Sequence, residues 1–573
     1  MSMSETYLRI SHQLKYYART ALLAQAWLLT LFLFCTSAAA EDVTLTINFS
    51  LEGANPHPAT NFRLAEVTLK IDDVTHVSNI ELKDLDTPRQ YTVSSTAHVE
   101  LAISKAYRGY RFKEFTGIND ASAIYPSSNV GVVFEAEEAD SAQHLFYSND
   151  EYGAPYRIPA IATTRTGRII AVCDRRYGGN DIGRGGGHID LAARFSDDNG
   201  ETWSTDRVLC DGNGIRGDLK CAYSDPALVA DHESDEVLLM SCTGDVTFTS
   251  STRENPIRVQ RTYSHDGGDT WTEPEDITDL ILDMIPTTRG SFVASGRILQ
   301  SRLVKKDRYY RIYCALASWP TNSGSYVNHV IYSDDFGQTW AVLGKTLPTT
   351  QNANEAKLEE LPNGDIVISV RASGSRIFNV YNFSNFSSDQ ETGKWGTQYK
   401  GNTIIYGNND CNGEIMMVPV KSNSTGTNYN LLLQTSPNGN AREKVTFWYR
   451  TIPRTKQSSN GISTNWKRSL QVSPTYSAYS TMTLQADKRI GFLFEESYNS
   501  NTYMYDIVYI PLTIEQITGG SYRPLTDEEL SVEALSDDSR TGDGPIFDIA
   551  GRRIVQPLQP GIYIQNGKKY LIQ

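Results

Sequence analysis

A chain of 573 residues exceeds what one hydrophobic core usually holds, so a main domain of several hundred residues with smaller neighbours is expected. Apolar residues at 39% and charged residues at 21% exclude a wholly disordered or membrane-embedded chain. The net charge of −14 argues against nucleic-acid and anionic-membrane partners, which require a basic patch.

The first forty residues contain Arg9, Lys15 and Arg19, an apolar run from Ala21 to Phe34, and Ser37-Ala-Ala-Ala40. A basic start, a short apolar segment and small residues are the pattern of a cleaved signal peptide over 1–40, so export is expected. This segment carries net +2, which leaves −16 for the remainder. Six cysteines follow it: Cys173, Cys210, Cys221, Cys242, Cys314 and Cys411. An even number in an exported chain permits disulfides, and Cys210 with Cys221 could close one loop. No Cys-x-x-Cys or paired-histidine spacing points to a metal, and no cofactor is expected.

Residues 41–145 open with the alternating run Val43-Thr-Leu-Thr-Ile-Asn-Phe49 and continue as short β-like runs between Pro and Gly, which predicts a small β-sandwich. A carbohydrate-binding and a purely structural role fit it equally. From 146 to 524 one theme recurs. Ser196-Asp-Asp198-Asn-Gly200-Glu-Thr-Trp203 returns at Ser264–Trp271 and Ser333–Trp340, 68 and 69 residues apart, with a looser copy from Ser387 to Trp395. The pattern belongs to a hairpin turn: Asp accepts backbone N–H bonds, Gly supplies a positive φ, and Trp covers the hairpin. Three copies at near-constant period predict an array of β-sheets, and the length suits a six-bladed β-propeller. The turn aspartates are accordingly read as structural. Residues 525–573 comprise an acidic linker and a short C-terminal β tail, which resembles the sorting modules on exported proteins of some Gram-negative anaerobes.

The residues with chemistry lie between these repeats. Tyr156-Arg157-Ile158-Pro159, Asn354-Glu355-Ala356 leading to the strand that ends at Arg371, and Pro437-Asn-Gly-Asn-Ala-Arg442 each bring an arginine. Asp181 follows Arg176 by five residues on a glycine-rich stretch, and Tyr479 precedes the strand that carries Glu495. Together with the acidic turns, this set resembles the bacterial exo-sialidase family. The resemblance implies that Arg157, Arg371 and Arg442 clamp the substrate's carboxylate, that Arg176 contacts substrate, and that Glu495 braces Arg157. It further implies Asp181 as acid/base, Tyr479 as nucleophile and Glu355 as the base that takes its proton. Arginine suits the clamp because its planar fork donates bidentately and keeps its charge. A neutral phenol avoids pressing a charged nucleophile against an anionic sugar, a departure from the usual two-carboxylate scheme for which sialidases are known. Asp190, in the alternating run His188-Ile-Asp-Leu-Ala-Ala-Arg194, is read as a strand residue, and His188 as a solvated loop residue.

The implied function is an exo-α-sialidase that acts without metal on sialylated glycoconjugates by a retaining route. A trans-sialidase would share every one of these residues. A non-catalytic sialic-acid-binding propeller would need the clamp but not Asp181, Glu355 and Tyr479 together.

Overall fold

A computed structural model of the chain describes residues 29–30, 40–530 without 54–62, 73, 108, 118–123, 137–141, 149–153, 185–186, 323, 346–348, 353, 406–409, 498–503 and 528, and the strands 546–548, 553–554, 561–565 and 568–572. It is all-β, and the described α-helices are three short ones, Thr278–Met284, Ser459–Ile462 and Ile514–Thr518. The expected signal peptide lies outside the described residues, except for a two-residue strand, Leu29–Thr30, beside Leu101 and Glu100.

The alternation read at Val43–Phe49 is the strand Asp42–Glu52, which buries Leu45, Ile47 and Phe49 and leaves the residues between them half-exposed. It pairs with Arg89–Ser94 and Asn129–Ala136, with Tyr110–Thr116 at the edge. A second sheet is built from Val99–Ala106, Arg63–Ile71 and Val74–Glu81. Both sheets contribute to one core, in which Ile47 and Phe49 of the first meet Val67 and Leu101 of the second. Period-two burial is the reason, since each strand has one apolar face and must cover it.

From Gln143 to Pro524 the chain forms six sheets in succession. Their first strands are Tyr156–Thr163, Tyr223–Ala230, Thr288–Val293, Ala356–Glu360, Ile415–Ser422 and Tyr476–Leu484, each followed by antiparallel neighbours. The outermost strand of the sixth sheet is Gln143–Phe146, which precedes the first sheet in sequence and pairs with Asp506–Leu512. Residues 143–145, grouped with the preceding sandwich by sequence, therefore pair into the sixth sheet. Each sheet is covered on both faces. In the second strand of the first sheet, Ile170 and Val172 join Leu228 and Leu239 of the second sheet, while Ile169, Ala171 and Cys173 join Leu493 and Tyr509 of the sixth. Four further cores join the remaining neighbours in order. Burial on both faces explains why these strands read as continuous apolar runs, such as Ile169-Ile-Ala-Val-Cys173, and not as alternation.

The three acidic turns are alike. Asp198 Oδ1 accepts from Thr202 N at 2.9 Å and from Ser196 Oγ at 2.8 Å, and the corresponding bonds recur at Asp266 and Asp335. Gly200 has φ +84°, and a Cβ there would collide with the Tyr509 ring. The fourth copy is built differently, with Asp389 accepting from Glu391 N and Thr392 N in place of the serine hydroxyl. Thr270 and Ser264 hold the Asp266 carboxyl down to about 2. Its lone pairs are thus engaged inside its own turn. Asp266→Ala is expected to cost about 1 kcal/mol, lowering the melting temperature by a few degrees while each folded molecule keeps its activity. Lost activity with unchanged melting would give these aspartates a catalytic role instead.

The cysteine expectation needs correction. All six described cysteines are free and buried, Cys210 and Cys221 among them. Cys210 faces the core between the first two sheets, whereas the Sγ of Cys221 lies beside Gly187. Both behave as small apolar residues. The acidic stretch after 525 is tied down at its start: Glu529 accepts from Arg523 at 2.7 Å and 2.8 Å and from Lys421 at 2.7 Å. The tail from Ile546 to Ile572 makes a four-stranded sheet of its own.

One polar cluster joins the strand Val99–Ala106 to the sixth sheet. Asp506 accepts from Lys105 Nζ at 3.1 Å and Ser148 N at 2.9 Å, and His144 Nδ1 lies 3.1 Å away. Burial acts to raise the Asp506 pKa, but Lys105 and His144 overcome it and hold the carboxyl far below the carboxylate range. A depressed carboxyl pKa contributes stability that is complete above the unfolded value, ~3.9, and is lost as pH falls toward the folded one. Lys105→Met should therefore lower stability by about 3 kcal/mol at neutral pH and flatten the acid limb, as read from melting temperatures between pH 7 and 3. Parallel acid profiles for parent and variant would show that this cluster does not carry the effect.

Candidate active site

Within each sheet, the start of the first strand, the end of the second and the start of the third lie at the same end, because neighbours are antiparallel. Arg157, Glu355 and Tyr479 are at or just before first strands, Arg176, Arg371 and Glu495 are in second strands, and Arg442 precedes a third. Sheet topology alone thus gathers residues more than 300 positions apart.

Local irregularity aims them. The first strand of the first sheet breaks register between Arg157 and Ala160, and Ile158 has φ +56°. A β-branched residue there costs on the order of 1–3 kcal/mol, and Pro159 has no N–H to return to the ladder. The bulge frees Ile158 N, which donates to Glu495 Oε1 at 2.7 Å. Glu495, fully buried, also accepts from Arg157 Nε at 2.7 Å and Tyr479 N at 3.1 Å. One carboxylate therefore fixes both Arg157 and the backbone at Tyr479, itself beside a register shift between Ser477 and Ser480.

Tyr479 is the hub. Its hydroxyl donates to Glu355 Oε2 at 2.8 Å and accepts from Arg371 Nη1 at 2.8 Å, while Arg371 also reaches Glu355 Oε2 at 2.6 Å. The guanidinium carbons of Arg442, Arg157 and Arg371 lie 5.5, 5.6 and 6.0 Å from the centre of its ring. Burial lifts the Tyr479 pKa well above its ordinary value; Arg371 and Arg442 offset this only in part, and Glu355 adds to it. The resting phenol is neutral, with its proton already directed at a carboxylate. Three guanidinium groups around one ring also repel each other, so the site favours a planar anion.

Asp181 lies on the turn after Arg176 and forms a short ion pair with Arg176 Nη1. Its side chain is 63% exposed, while that of Arg176 is 2% exposed. Desolvation acts upward on the Asp181 pKa but is outweighed by Arg176, Arg157 and Arg184, so the carboxyl lies below its ordinary value. An exposed carboxyl on a loop beside a buried cation can reach a ligand's rim.

Three acids of this end were missed: Asp174, Asp225 and Asp410. Asp225 has φ +58°, and its N–H donates to Asp174 Oδ1 at 3.1 Å; Asp174 in turn accepts from Arg176 at 2.7 Å and Ser224 Oγ at 2.7 Å. Burial raises both carboxyls, and each raises or is raised by its neighbour. A sequence cue existed: Tyr223-Ser-Asp-Pro226 repeats the Tyr-x-x-Pro of Tyr156–Pro159 67 residues later, and a register shift between Ser224 and Ala227 places it alike. Asp410, 3.2 Å from Arg371 Nε, had no such cue. Asp190 is a buried strand residue, as read from the sequence; it accepts from Tyr177 and Gly212 N. His188 is stacked on Tyr177 at 4.0 Å and, with Asp190 and Asp211, places three ligand-type atoms within 4.8 Å. Most of the lone pairs on Asp190 are already engaged by protein donors.

Comparison with known proteins accords with this geometry. A BNR repeat-like domain matches residues 176–397. A sialidase of Paraclostridium sordellii is 28% identical over 285 residues, covering 48% of this chain and 67% of that protein. A sialidase of Micromonospora viridifaciens is 25% identical over 403 residues, covering 67% of this chain and 55% of that one. These likenesses support a relation of the chain to bacterial sialidases. The chain spans about half to two thirds of the length of these relatives. The structure of the Ruminococcus gnavus intramolecular trans-sialidase superposes with a TM-score of 0.52 at 16% identity, covering 65% of this chain and 98% of that one, which extends the likeness to the fold.

Proposed function

We propose that the chain is an exported exo-α-sialidase that hydrolyses terminal sialic acids from glycoproteins, glycolipids and oligosaccharides. The observation that carries this reading is the Tyr479 hydroxyl, bonded to Glu355 and Arg371 at 2.8 Å each beneath three guanidinium groups. The substrate carboxylate binds Arg157, Arg371 and Arg442, with Arg176 as a further contact. Tyr479 oxygen attacks the anomeric carbon as its proton passes to Glu355, and Asp181 protonates the departing glycosidic oxygen. Water then gives a proton to Asp181 and attacks the same carbon from the vacated face, while Tyr479 leaves and recovers its proton from Glu355. Two inversions retain configuration. Asp181 begins ionised in the free protein; an anionic sugar bound at Arg157 and Arg176 offsets the charges that depress its pKa, and Asp181 takes up one proton from solvent before it acts as acid.

The succession of six sheets with cores between consecutive pairs supports a six-bladed propeller, preceded by a β-sandwich over 41–145 and followed by the tail over 525–573. The signal pattern of 1–40 supports export. A fluorogenic sialoside with and without lactose tests the reading: fluorescence with free sialic acid as the main product is expected in both. Sialyllactose as main product would assign transfer instead, and binding without turnover would overturn the enzymatic reading.

A further inference from the structure

The far end of the fifth sheet carries a pocket. The strand Ile415–Ser422 starts three residues after Asn412, near Asp410 and its partner Arg371, and has eight residues. Its two ends are therefore about 23 Å apart, and a pocket of about 670 Å³ opens around Ser422, well away from Tyr479. Tyr449 and Tyr522 form one wall, their ring centres 6.0 Å apart at 81°. Arg450, Lys467, Asn465 and Ser422 supply its polar groups.

The charge of this pocket stands against that of the chain. With 67 acidic and 53 basic residues, cations on this protein generally sit beside carboxylates. None of the lining residues is acidic. The Arg450 guanidinium is fixed by carbonyl oxygens of Ile462 at 3.0 Å and Thr464 at 2.6 Å, and Lys467 Nζ lies 5.3 Å from the Tyr449 ring centre. Among the described residues neither takes part in a salt bridge. Nη1 of Arg450 also donates to Gly461 O, so its charge is held by neutral carbonyl oxygens and by no acid, and an anion placed here would meet a positive charge that nothing in the pocket neutralises. Aromatic faces suit the C–H face of a sugar, hydroxyl and amide groups suit its hydroxyls, and the cations require a negative substituent. The absence of any lining carboxylate leaves no acid/base pair for cleavage.

We propose that this pocket is a second, non-catalytic binding site for an acidic sugar, a pyranose bearing a carboxylate or a sulfate. Occupied together with the cluster around Tyr479, it would hold a multivalent acidic glycan through a high effective concentration. The assignment does not depend on the chemistry at Tyr479.

Saturation-transfer NMR on full-length Arg371→Ala protein, in which the arginine clamp is broken, tests it with three probes: a methyl α-sialoside, galactose 6-sulfate and neutral methyl galactoside. Saturable binding of at least one acidic probe is expected, at least tenfold tighter than the neutral sugar. Which acidic probe binds identifies the substituent. Lys467→Glu, an exposed charge reversal, and Asn465→Asp, nearly isosteric, should each weaken that binding at least tenfold. In otherwise unaltered protein, Lys467→Glu should leave kcat/KM on a small fluorogenic sialoside unchanged. Binding equal to that of the neutral sugar, no binding of either acidic probe, or binding insensitive to both charge changes would overturn the assignment.

Discussion

Tyr479→Phe protein is expected to fold normally and to lose turnover of sialosides by on the order of 10³-fold or more. The substitution removes one oxygen, and with it the bonds to Glu355 and Arg371, while the ring that the three guanidinium groups surround stays in place. Binding of a sialoside should change far less than kcat, since the clamp is untouched. In the parent protein, proton NMR of a sialoside during the first minutes should show the α-anomer of the product before mutarotation mixes the two forms. Initial β-anomer would exclude two successive inversions. A fully active Tyr479→Phe variant would remove Tyr479 from the reaction.

Arg371→Lys is expected to reduce kcat/KM by about 2 kcal/mol or more, roughly 30-fold. Lysine keeps a positive charge but cannot reproduce the fork that meets Glu355 and the Tyr479 hydroxyl through Nη1 and Asp410 through Nε and Nη2. Two consequences should follow together: a weaker hold on the substrate carboxylate, seen as higher KM, and a less well placed Glu355, seen as lower kcat. A simple charge requirement predicts recovery by lysine. Unaltered kcat/KM in this variant would exclude Arg371 from the site, and an effect confined to KM would exclude its part in orienting Glu355.

Much of the site was legible because its members stand in motifs. Tyr156–Pro159 was picked out through the resemblance to exo-sialidases, and its bulge emerged only in the structure; Ser196–Trp203 announces a turn, since glycine and aspartate occur where the backbone needs them. Asp225 escaped although its Tyr-x-x-Pro frame repeats the first, because serine stands there where the first frame has Arg157 and two shared residues are too few to mark a site. Asp410 escaped for a stronger reason. Its partner, Arg371, is 39 residues away, and nothing in the intervening chain marks the return.

The repeated turns and the apolar runs between them determined the β character of this protein, since glycine, proline and side-chain periodicity act over a few residues. Residue types and their order likewise determined which arginines, carboxylates and tyrosine could take part. The tertiary structure decided what those groups do to each other. Sheet succession placed Glu355 124 residues from Tyr479 in sequence yet 2.8 Å from its hydroxyl. Burial then set the phenol neutral against the pull of Arg371 and Arg442, and left Asp181 ionised on an exposed turn beside Arg176. Desolvation and Coulomb terms depend on distance through space, and chain order alone does not contain those distances.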